Sequence, residues 1–596
     1  MSSNSKLKIQ NSKFPLLLLV VWIGIGTGLR LMNLALKSPW TDEFSTLTFS
    51  LGNSFTGVPL DQAIALDTLL QPLIPSPAAG IGDVIHHLLT ESNHPPLYFV
   101  LTHLWLQLFP PPVNGEIEGL VSLWGARSLA ALLGVASIPA VYALARFAFR
   151  SQLVGQMAAA MMAVSPYGIF LAQEARHYTL AMLWVIASLG GLVVAVRHIQ
   201  RQKPLPIWLV LVWVGVNTLG IASHYFFALT LCAEAVALIA IVWGGMNRIS
   251  VSEAMRVRAL GAKNAKETEE EETDAVENVK QASLEKGDLF TPRFLLPLVA
   301  VAAGTLAGGL VWVPVFLQNS YGGKLTEWIQ GDRVGLAWLS PVFQAIAAWI
   351  TMISLLPVEA SQLPLVIASV VVMVIFFFWA LPILYRGLKV QRQRHQNTWL
   401  FEVFVWSAIA LFFVFTYFLG IDLTRGARYN FVYFPAVIVV VGASLAACWE
   451  NKGKTAVVLI WLMGLLSGIT VVSNLGYQKY YRPDLLAPII QQNSQAPVLI
   501  ATTRKTHVQN GEMMGIAWEF KRQGLPQNPQ FLLAHQDKNP KTSTIALQKT
   551  LATLPRPLDL WLVNFHAPIE LNGCVQNPLS SLAVDGYDYK LYRCEK

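Results

Sequence analysis

The chain reads as an α-helical polytopic membrane protein that ends in a small C-terminal α/β domain. Three observations predict this. Hydrophobic residues make up 54% of the 596 residues and charged residues only 13%, about half the usual charged share. The mean hydropathy is +0.48, and charge-free runs of about twenty residues, the length of a bilayer-crossing helix, recur as far as residue 474. Beyond residue 478 the runs shorten and alternate between strand-like and helix-like patterns. The net charge of +8 sits in clusters beside the apolar runs, without interleaved aromatics. It reads as membrane anchoring charge, and no nucleic-acid partner is expected.

The apolar runs fall at about 14–36, 96–109, 127–148, 152–172, 177–197, 205–222, 226–245, 293–317, 338–357, 363–385, 399–419, 430–449 and 455–474. The first, Phe14 to Leu36, is too long for a signal-peptide core and lacks a small-residue cleavage site, so it is expected to stay as a span. Segment 96–109 is short and opens at Pro96; segment 338–357 is interrupted by Pro341 and ends at Pro357. Both are expected to lie along the membrane surface. With those two excluded and the N-terminus cytoplasmic, Arg146 and Arg150, Arg197 to Lys203, Arg248 to Lys266, Arg386 to Arg394, and Lys452 with Lys454 all fall inside, as the positive-inside rule asks. The expectation is about eleven transmembrane helices plus surface helices in a multi-pass plasma-membrane protein.

That count divides the chain into a transmembrane unit, 1–477, and an extracytoplasmic domain, 478–596. The first unit contains an outer loop, 37–126, and a polar cytoplasmic loop, 246–291, whose acidic run from Glu267 to Asp274 reads as disordered. In the tail, Pro497 to Ala501, Phe531 to Leu533, Asp559 to Val563 and Tyr587 to Tyr592 read as strands. Gly511 to Arg522 and Thr544 to Leu554 read as helices. No phosphate-binding glycine pattern occurs there. Cys232 and Cys448 lie in apolar runs, whereas Cys574 and Cys594 lie in the tail and are expected to pair in an oxidising compartment.

The same topology gathers ionisable residues on the outer face. Asp42 and Glu43 follow the first span directly. They are either a solvated loop or a catalytic base at the bilayer surface. Asn93-His94-Pro95-Pro96-Leu97-Tyr98 is either a helix start, where prolines in the first turn are tolerated, or a substrate contact through His94. Arg127, Arg176 in Gln173-Glu174-Ala175-Arg176-His177-Tyr178, and Arg428 run against the positive-inside tendency. An ionisable group at the membrane edge is a functional candidate, and the arginine fork suits phosphate oxygens. The alternative is structural pairing, for example of Arg176 with Glu174. A sugar carried on a lipid phosphate would give both sets a task. A carboxylate takes the acceptor proton. Arginine, or a divalent metal (Mg or Mn) held with help from Glu174, neutralises the leaving phosphate.

An ordered set of motifs resembles a known family. Trp40-Thr41-Asp42-Glu43, His94-Pro95-Pro96-Leu97-Tyr98, Arg127-Ser128-Leu129-Ala130-Ala131-Leu132-Leu133-Gly134, Ser165-Pro166, Gln173 to Tyr178, Ser223-His224-Tyr225-Phe226 and Arg428-Tyr429 together resemble the GT-C membrane glycosyltransferases. Within them the likeness is to the glycosyltransferase family 39-like group of protein mannosyltransferases and aminoarabinose transferases, over roughly residues 14–474. The resemblance implies a GT-C type fold, a polyprenyl-phosphate sugar donor, an extracytoplasmic active site and inversion at the anomeric carbon. It implies Asp42 as catalytic base with Glu43 and Glu174 in the catalytic set. Arg127, Arg176 and Arg428 would meet the donor phosphate, and His94, Tyr98, His224 and Tyr225 the substrates. Two departures from the mannosyltransferases, the Glu-Ala-Arg-His-Tyr sequence at 174–178 and a tail without a β-trefoil insert, leave the acceptor open among lipid, glycan and protein. A multi-span transporter or flippase of a lipid-linked or anionic substrate is the competing class. It more often shows internal pseudo-repeats and broken helices near the midplane.

Overall fold

The computed structural model describes residues 14–111, 117–243, 292–318, 327–331, 333–539, 541–577 and 583–595; the expected cytoplasmic loop 246–291 lies outside them. The described chain is a polytopic α-helical membrane protein with a small C-terminal α/β sheet. Seven described helices are long and apolar enough to cross a membrane, among them Leu123–Phe149, Tyr178–Gln200, Leu363–Arg394 and Gln396–Phe418. The count is eight if the bent pair Gln152–Val164 and Pro166–Ala172 forms one span.

The expected eleven are therefore not all of spanning length. Ile207–Ser223 and Phe434–Glu450 have 17 residues each, about 25 Å at 1.5 Å per residue, against a hydrocarbon core of about 30 Å. Within the described residues, which begin at 14 and break after 243, Pro15–Leu31 and Phe227–Trp243 fall in the same shorter class. In the other direction, Gly335–Ile353, expected at the surface, forms a helical stretch of spanning length. Its Pro341 sits in the first turn of Ser340–Ile353, where a proline costs no hydrogen bond. Leu97–Leu106 has ten residues and is too short to cross.

The 58° bend between Gln152–Val164 and Pro166–Ala172 has a local cause. Pro166 has no N–H to give to the Met162 carbonyl, four residues back. Arg30, fully buried, donates there instead, Nη2 to Met162 O at 2.8 Å, and Nη1 to Ala163 O at 3.1 Å. Ser165 Oγ caps the new helix by accepting from Gly168 N–H at 3.3 Å. The bend directs the chain into the buried Gln173–His177 segment.

Five strands of the tail and one from the outer loop build a six-stranded sheet in the order β1-β3-β2-β4-β6-β5. The strands are β1 (Ala63–Ala65), β2 (Val498–Arg504), β3 (Gln530–His535), β4 (Leu558–Val563), β5 (Cys574–Asn577) and β6 (Tyr589–Cys594). β3, β2 and β4 are parallel; the two edges are antiparallel. Period-two alternation separates two faces. Val498, Ile500, Phe531, Leu533, Trp561 and Val563 pack in one core with Phe44, Leu47 and Phe49 of the Thr41–Ser50 helix and with Met513, Met514 and Trp518 of the His507–Arg522 helix. Leu499, Ala501, Leu532, Leu560 and Leu562 pack against Leu547 and Leu551 of the Thr542–Thr553 helix. Each fully buried phenylalanine contributes about 1.5–3 kcal/mol, so the membrane-exit helix and the tail are held as one body. Gly511 marks a close backbone approach between them: a Cβ there would stand 3.1 Å from Thr41 Cα.

The four strands expected in the tail all form. β5 and β1 were not expected, and β1 belongs to the outer loop, so residues 63–65 complete a sheet otherwise made after residue 497. Cys574 and Cys594 face each other across β5 and β6 and are disulfide-bonded, closing a loop with sequence separation 20. Restricting that loop in the unfolded chain is worth about 3 kcal/mol. The paired Cys574→Ser and Cys594→Ser variant should lose about that much stability in chemical denaturation, and reducing agent should destabilise the wild type but not the variant.

Candidate active site

The Thr41–Ser50 helix starts the site. Asp42 and Glu43 occupy its first turn, where carboxylates complement the helix dipole. Successive helix residues diverge by about 100°, and the two carboxylates part accordingly.

Glu43 turns inward and is fully buried. Arg127 binds it through two parallel hydrogen bonds, Nε to Oε1 at 2.8 Å and Nη2 to Oε2 at 2.7 Å. The Ala175 N–H adds a third bond to Oε1 at 2.8 Å. Burial alone pushes the Glu43 carboxyl up, but the Arg127 charge and these bonds hold it below the usual carboxylate range. The rest of the Arg127 fork donates to Leu34 O and Lys37 O at 2.8 Å each and to Ser38 O at 3.4 Å. The expected phosphate contact by Arg127 and catalytic place of Glu43 find no geometric counterpart: the fork is consumed by protein acceptors, Arg127 is 1% exposed, and neither residue lines the cavity.

Asp42 turns outward, with 30% of its side chain exposed. It faces a cavity of about 250 Å³ lined also by His94, Arg176, His177, His224, Tyr225 and Arg428. Arg176 Nη2 stands 3.7 Å from Asp42 Oδ2 and Arg428 Nη2 stands 3.5 Å from it. Arg176 is anchored by Asp42 O and Thr46 Oγ1, each at 2.9 Å from Nη1. The Arg428 guanidinium lies over the rings of Trp40, Trp328 and Tyr429 at 4.7, 5.1 and 5.4 Å, stacking that favours arginine over lysine.

Four imidazoles, those of His94, His177, His224 and His507, surround this charge. His177 packs on His224 at 4.6 Å and on His94 at 5.5 Å. Arg176 Nη2 lies 2.9 Å from His94 Nε2. Guanidinium can only donate, so Nε2 accepts, and Nδ1 carries the proton it gives to Ser92 Oγ at 2.9 Å. Burial, with the arginine charges adding to it, holds His94, His177 and His224 well below the usual histidine range. The site is therefore cationic through its arginines alone, with neutral imidazoles around them.

The remaining expected residues separate. Tyr225 lines the cavity and also the groove beside it, which has a volume of about 660 Å³ and an apolar wall. Tyr98 is fully buried behind the cavity, edge-on to His177 at 6.2 Å. Glu174 is buried in an ion pair with Lys479 and is not in the cavity wall; the pairing partner expected for it, Arg176, turns to Asp42 and His94 instead. No group of three or more metal-ligating side chains is assembled among the described residues.

Comparison with family models and with curated proteins returns no match. Among solved structures, the chain is similar to ArnT from Cupriavidus metallidurans bound to undecaprenyl phosphate, with TM-score 0.43 and 12% identity over 92% of each chain. It is also similar to the archaeal oligosaccharyltransferase AglB from Archaeoglobus fulgidus, in complex with an inhibitory peptide and a dolichol-phosphate. There the TM-score is 0.42 and the identity 13%, over 85% of this chain and 64% of that one. The chain thus spans under two thirds of the AglB length. These likenesses assign no family, and the functional reading rests on the residues themselves.

Several residues of the cavity wall, or in contact with the charged groups around it, were missed in the sequence. Trp40, His177 and Tyr429 stand inside the motifs and carry signal in retrospect. Trp328, and His507 and Val508 from the tail, carry none, because nothing local says the tail folds back over the membrane-exit helix. Lys479, over the Trp40 ring at 5.0 Å, had one clue: a basic residue just past the last span, on the expected outer side.

Two predictions follow from this geometry. Breaking a buried ion pair leaves an uncompensated charge, at a cost of about 3–5 kcal/mol. Arg127→Leu should lose that much stability in thermal or denaturant unfolding, whereas Arg428→Leu, at a partly exposed site, should lose far less. For His507, burial first and Arg504 second lower the value from 6.5 to about 4. Between those pH values the unfolded chain binds the extra proton, so this contribution to stability is complete above pH 6.5 and lost as pH falls to 4. His507→Gln should flatten the stability profile in that window; an unchanged slope would assign acid sensitivity to the other three histidines.

Proposed function

We propose that the protein is a GT-C-like, family 39-like integral-membrane glycosyltransferase. It transfers a sugar from a polyprenyl-phosphate donor to a lipid, glycan or protein acceptor, with inversion. The observation that carries this reading is the cavity in which a partly exposed carboxylate, Asp42, stands within 3.5 and 3.7 Å of two arginines, with an apolar groove opening alongside at Tyr225 and Phe226. In the proposed reaction Asp42 takes the acceptor hydroxyl proton. The acceptor oxygen bonds to the anomeric carbon from the face opposite the phosphate. The bond from that carbon to the phosphate oxygen breaks, and polyprenyl phosphate leaves with the electron pair. Arg428 and Arg176 neutralise the charge that develops on it. The groove gives a substrate's hydrocarbon chain a place beside the polar cavity. The distribution of basic clusters supports an extracytoplasmic site and the eleven-span topology, in which Gly335–Ile353, though long enough to cross, stays at the surface so that Arg386 to Arg394 remain inside.

The test uses purified variants in nanodiscs. Asp42→Asn keeps size and hydrogen bonding but removes the proton acceptor, so turnover should fall about 10²–10⁴-fold with donor binding retained. Arg428→Ala should weaken donor binding as well as turnover, and Arg428→Lys should restore part of both, since a point charge lacks the stacked fork. Near-normal turnover in Asp42→Asn would discard Asp42 as the base. Repeating the assay with EDTA reads how much a divalent ion, Mg or Mn, adds to the arginines.

A further inference from the structure

A second cluster of cations lies outside the catalytic cavity. Lys37, Lys479, Arg482, Asp484 and Arg522 line a separate cavity of about 40 Å³. Three distant segments bring them together. Lys37 follows the first helix, Phe14–Leu31; Lys479 and Arg482 follow Lys454–Val472; Arg522 ends the His507–Arg522 helix of the tail. Carboxylates answer most of this charge. Lys479 pairs with Glu174. Arg482 holds Asp484 through Nε at 2.9 Å and Nη2 at 2.8 Å. Arg522 holds Glu519 through Nε at 2.8 Å and Nη2 at 2.7 Å.

Lys37 is the exception. It is 8% exposed, yet among the described residues its ammonium has no hydrogen-bond acceptor and no carboxylate within 4.0 Å. Glu359 and Glu43 act on it only from farther away. The ammonium is not sealed in, because Nζ keeps accessible surface on the cavity side. Burial first and the Arg127 charge second push its pKa down to about 8, so it is still charged at neutral pH. A charge drawn out of water without a partner is costly, and an anion in this cavity would offset that cost.

Charge and size define the anion. With the other cations paired, the surplus is the single charge of Lys37. At ~10–15 Å³ for one water-sized probe, the volume has room for about three oxygens. That suits the free oxygens of a phosphodiester, which carries one negative charge, and is too small for a sugar or a nucleotide. Leu36 lines the cavity beside Lys37 and is 49% exposed. It ends the first apolar run, so the cavity sits at the membrane surface, at the level of lipid phosphates.

We propose that this cavity is a second anion site, apart from the catalytic one, and that it binds a singly charged phosphoryl group with Lys37 as its main ligand. A group held there would brace residues 36–38 against the tail. The Lys37 and Ser38 carbonyls receive the Arg127 fork at 2.8 and 3.4 Å, and Ser38 Oγ donates to the same Glu519 that Arg522 holds.

The experiment uses neither sugar donor nor transfer readout, so its outcome is independent of the transferase reading. The full chain in detergent is titrated with dihexanoyl phosphatidylglycerol and with dihexanoylglycerol, which lacks the phosphate. Binding is read by native mass spectrometry and stability by thermal unfolding. The wild type should prefer the phosphate-bearing probe about ten-fold, the size of one hydrogen bond to a charged group. Lys37→Arg should keep the preference and Lys37→Gln should abolish it. Without a probe, Lys37→Gln should melt no lower than the wild type, because it removes a buried charge that has no partner. Inorganic phosphate distinguishes the sources: displacement of the lipid probe assigns the site to free phosphate, and resistance to it assigns the site to a lipid headgroup. Equal binding of the two lipid probes by the wild type would overturn the proposal. So would a lower melting temperature of ligand-free Lys37→Gln. A preference that survives Lys37→Gln but is lost in Arg428→Ala would place the phosphate in the catalytic cavity and overturn it too.

Discussion

The buried pair of Glu43 and Arg127 is the constraint on which the rest of the site depends. All five Arg127 donors and both Glu43 oxygens are engaged, by each other and by two further segments: Leu34, Lys37 and Ser38 before the helix, and Ala175 after the bent pair. Such a pair adds little net stability over a hydrophobic replacement, but it admits one arrangement only. It fixes the rotation of the Thr41–Ser50 helix. With Glu43 turned in, Asp42 has no choice but to face the cavity. Two adjacent carboxylates thereby acquire opposite environments, one dry and paired, the other open and flanked by arginines.

The α/β tail is part of this site rather than an addition to it. Its core is shared with the Thr41–Ser50 helix, its edge strand β1 comes from the outer loop, and His507 lies in the cavity wall. Ser38 Oγ donates to the buried Glu519 of the tail at 2.7 Å. Loosening the tail would therefore release the helix that carries Asp42.

A second arginine plays a quieter role. Arg30 supplies donors to carbonyls that the Pro166 bend leaves unmet, and the bend delivers Arg176 and His177 to the cavity. Arginines 30 and 127 shape the backbone around the site, whereas 176 and 428 face it. All four are arginines near apolar helix ends, and their sequence neighbourhoods do not tell them apart.

The sequence by itself determined what depends on local pattern. Charge-free runs imply helices in a membrane, period-two alternation in the tail implies strands, and Cys574 and Cys594 share one small region. It also gathered Asp42, His94, Arg176, His224, Tyr225 and Arg428, because ionisable groups at the ends of apolar runs are conspicuous. Tertiary structure decided everything that depends on a distant partner. Glu43 and Arg127 are separated by 84 positions, and only their meeting removes both from the cavity. Lys479 claims Glu174 in the same way. Ala63–Ala65 carries almost no strand signal of its own and is extended because β3 offers it an edge. Helix length, finally, is set by where capping and packing stop the backbone, so the apolar runs at 205–222 and 430–449, counted as spans, end as the 17-residue helices Ile207–Ser223 and Phe434–Glu450.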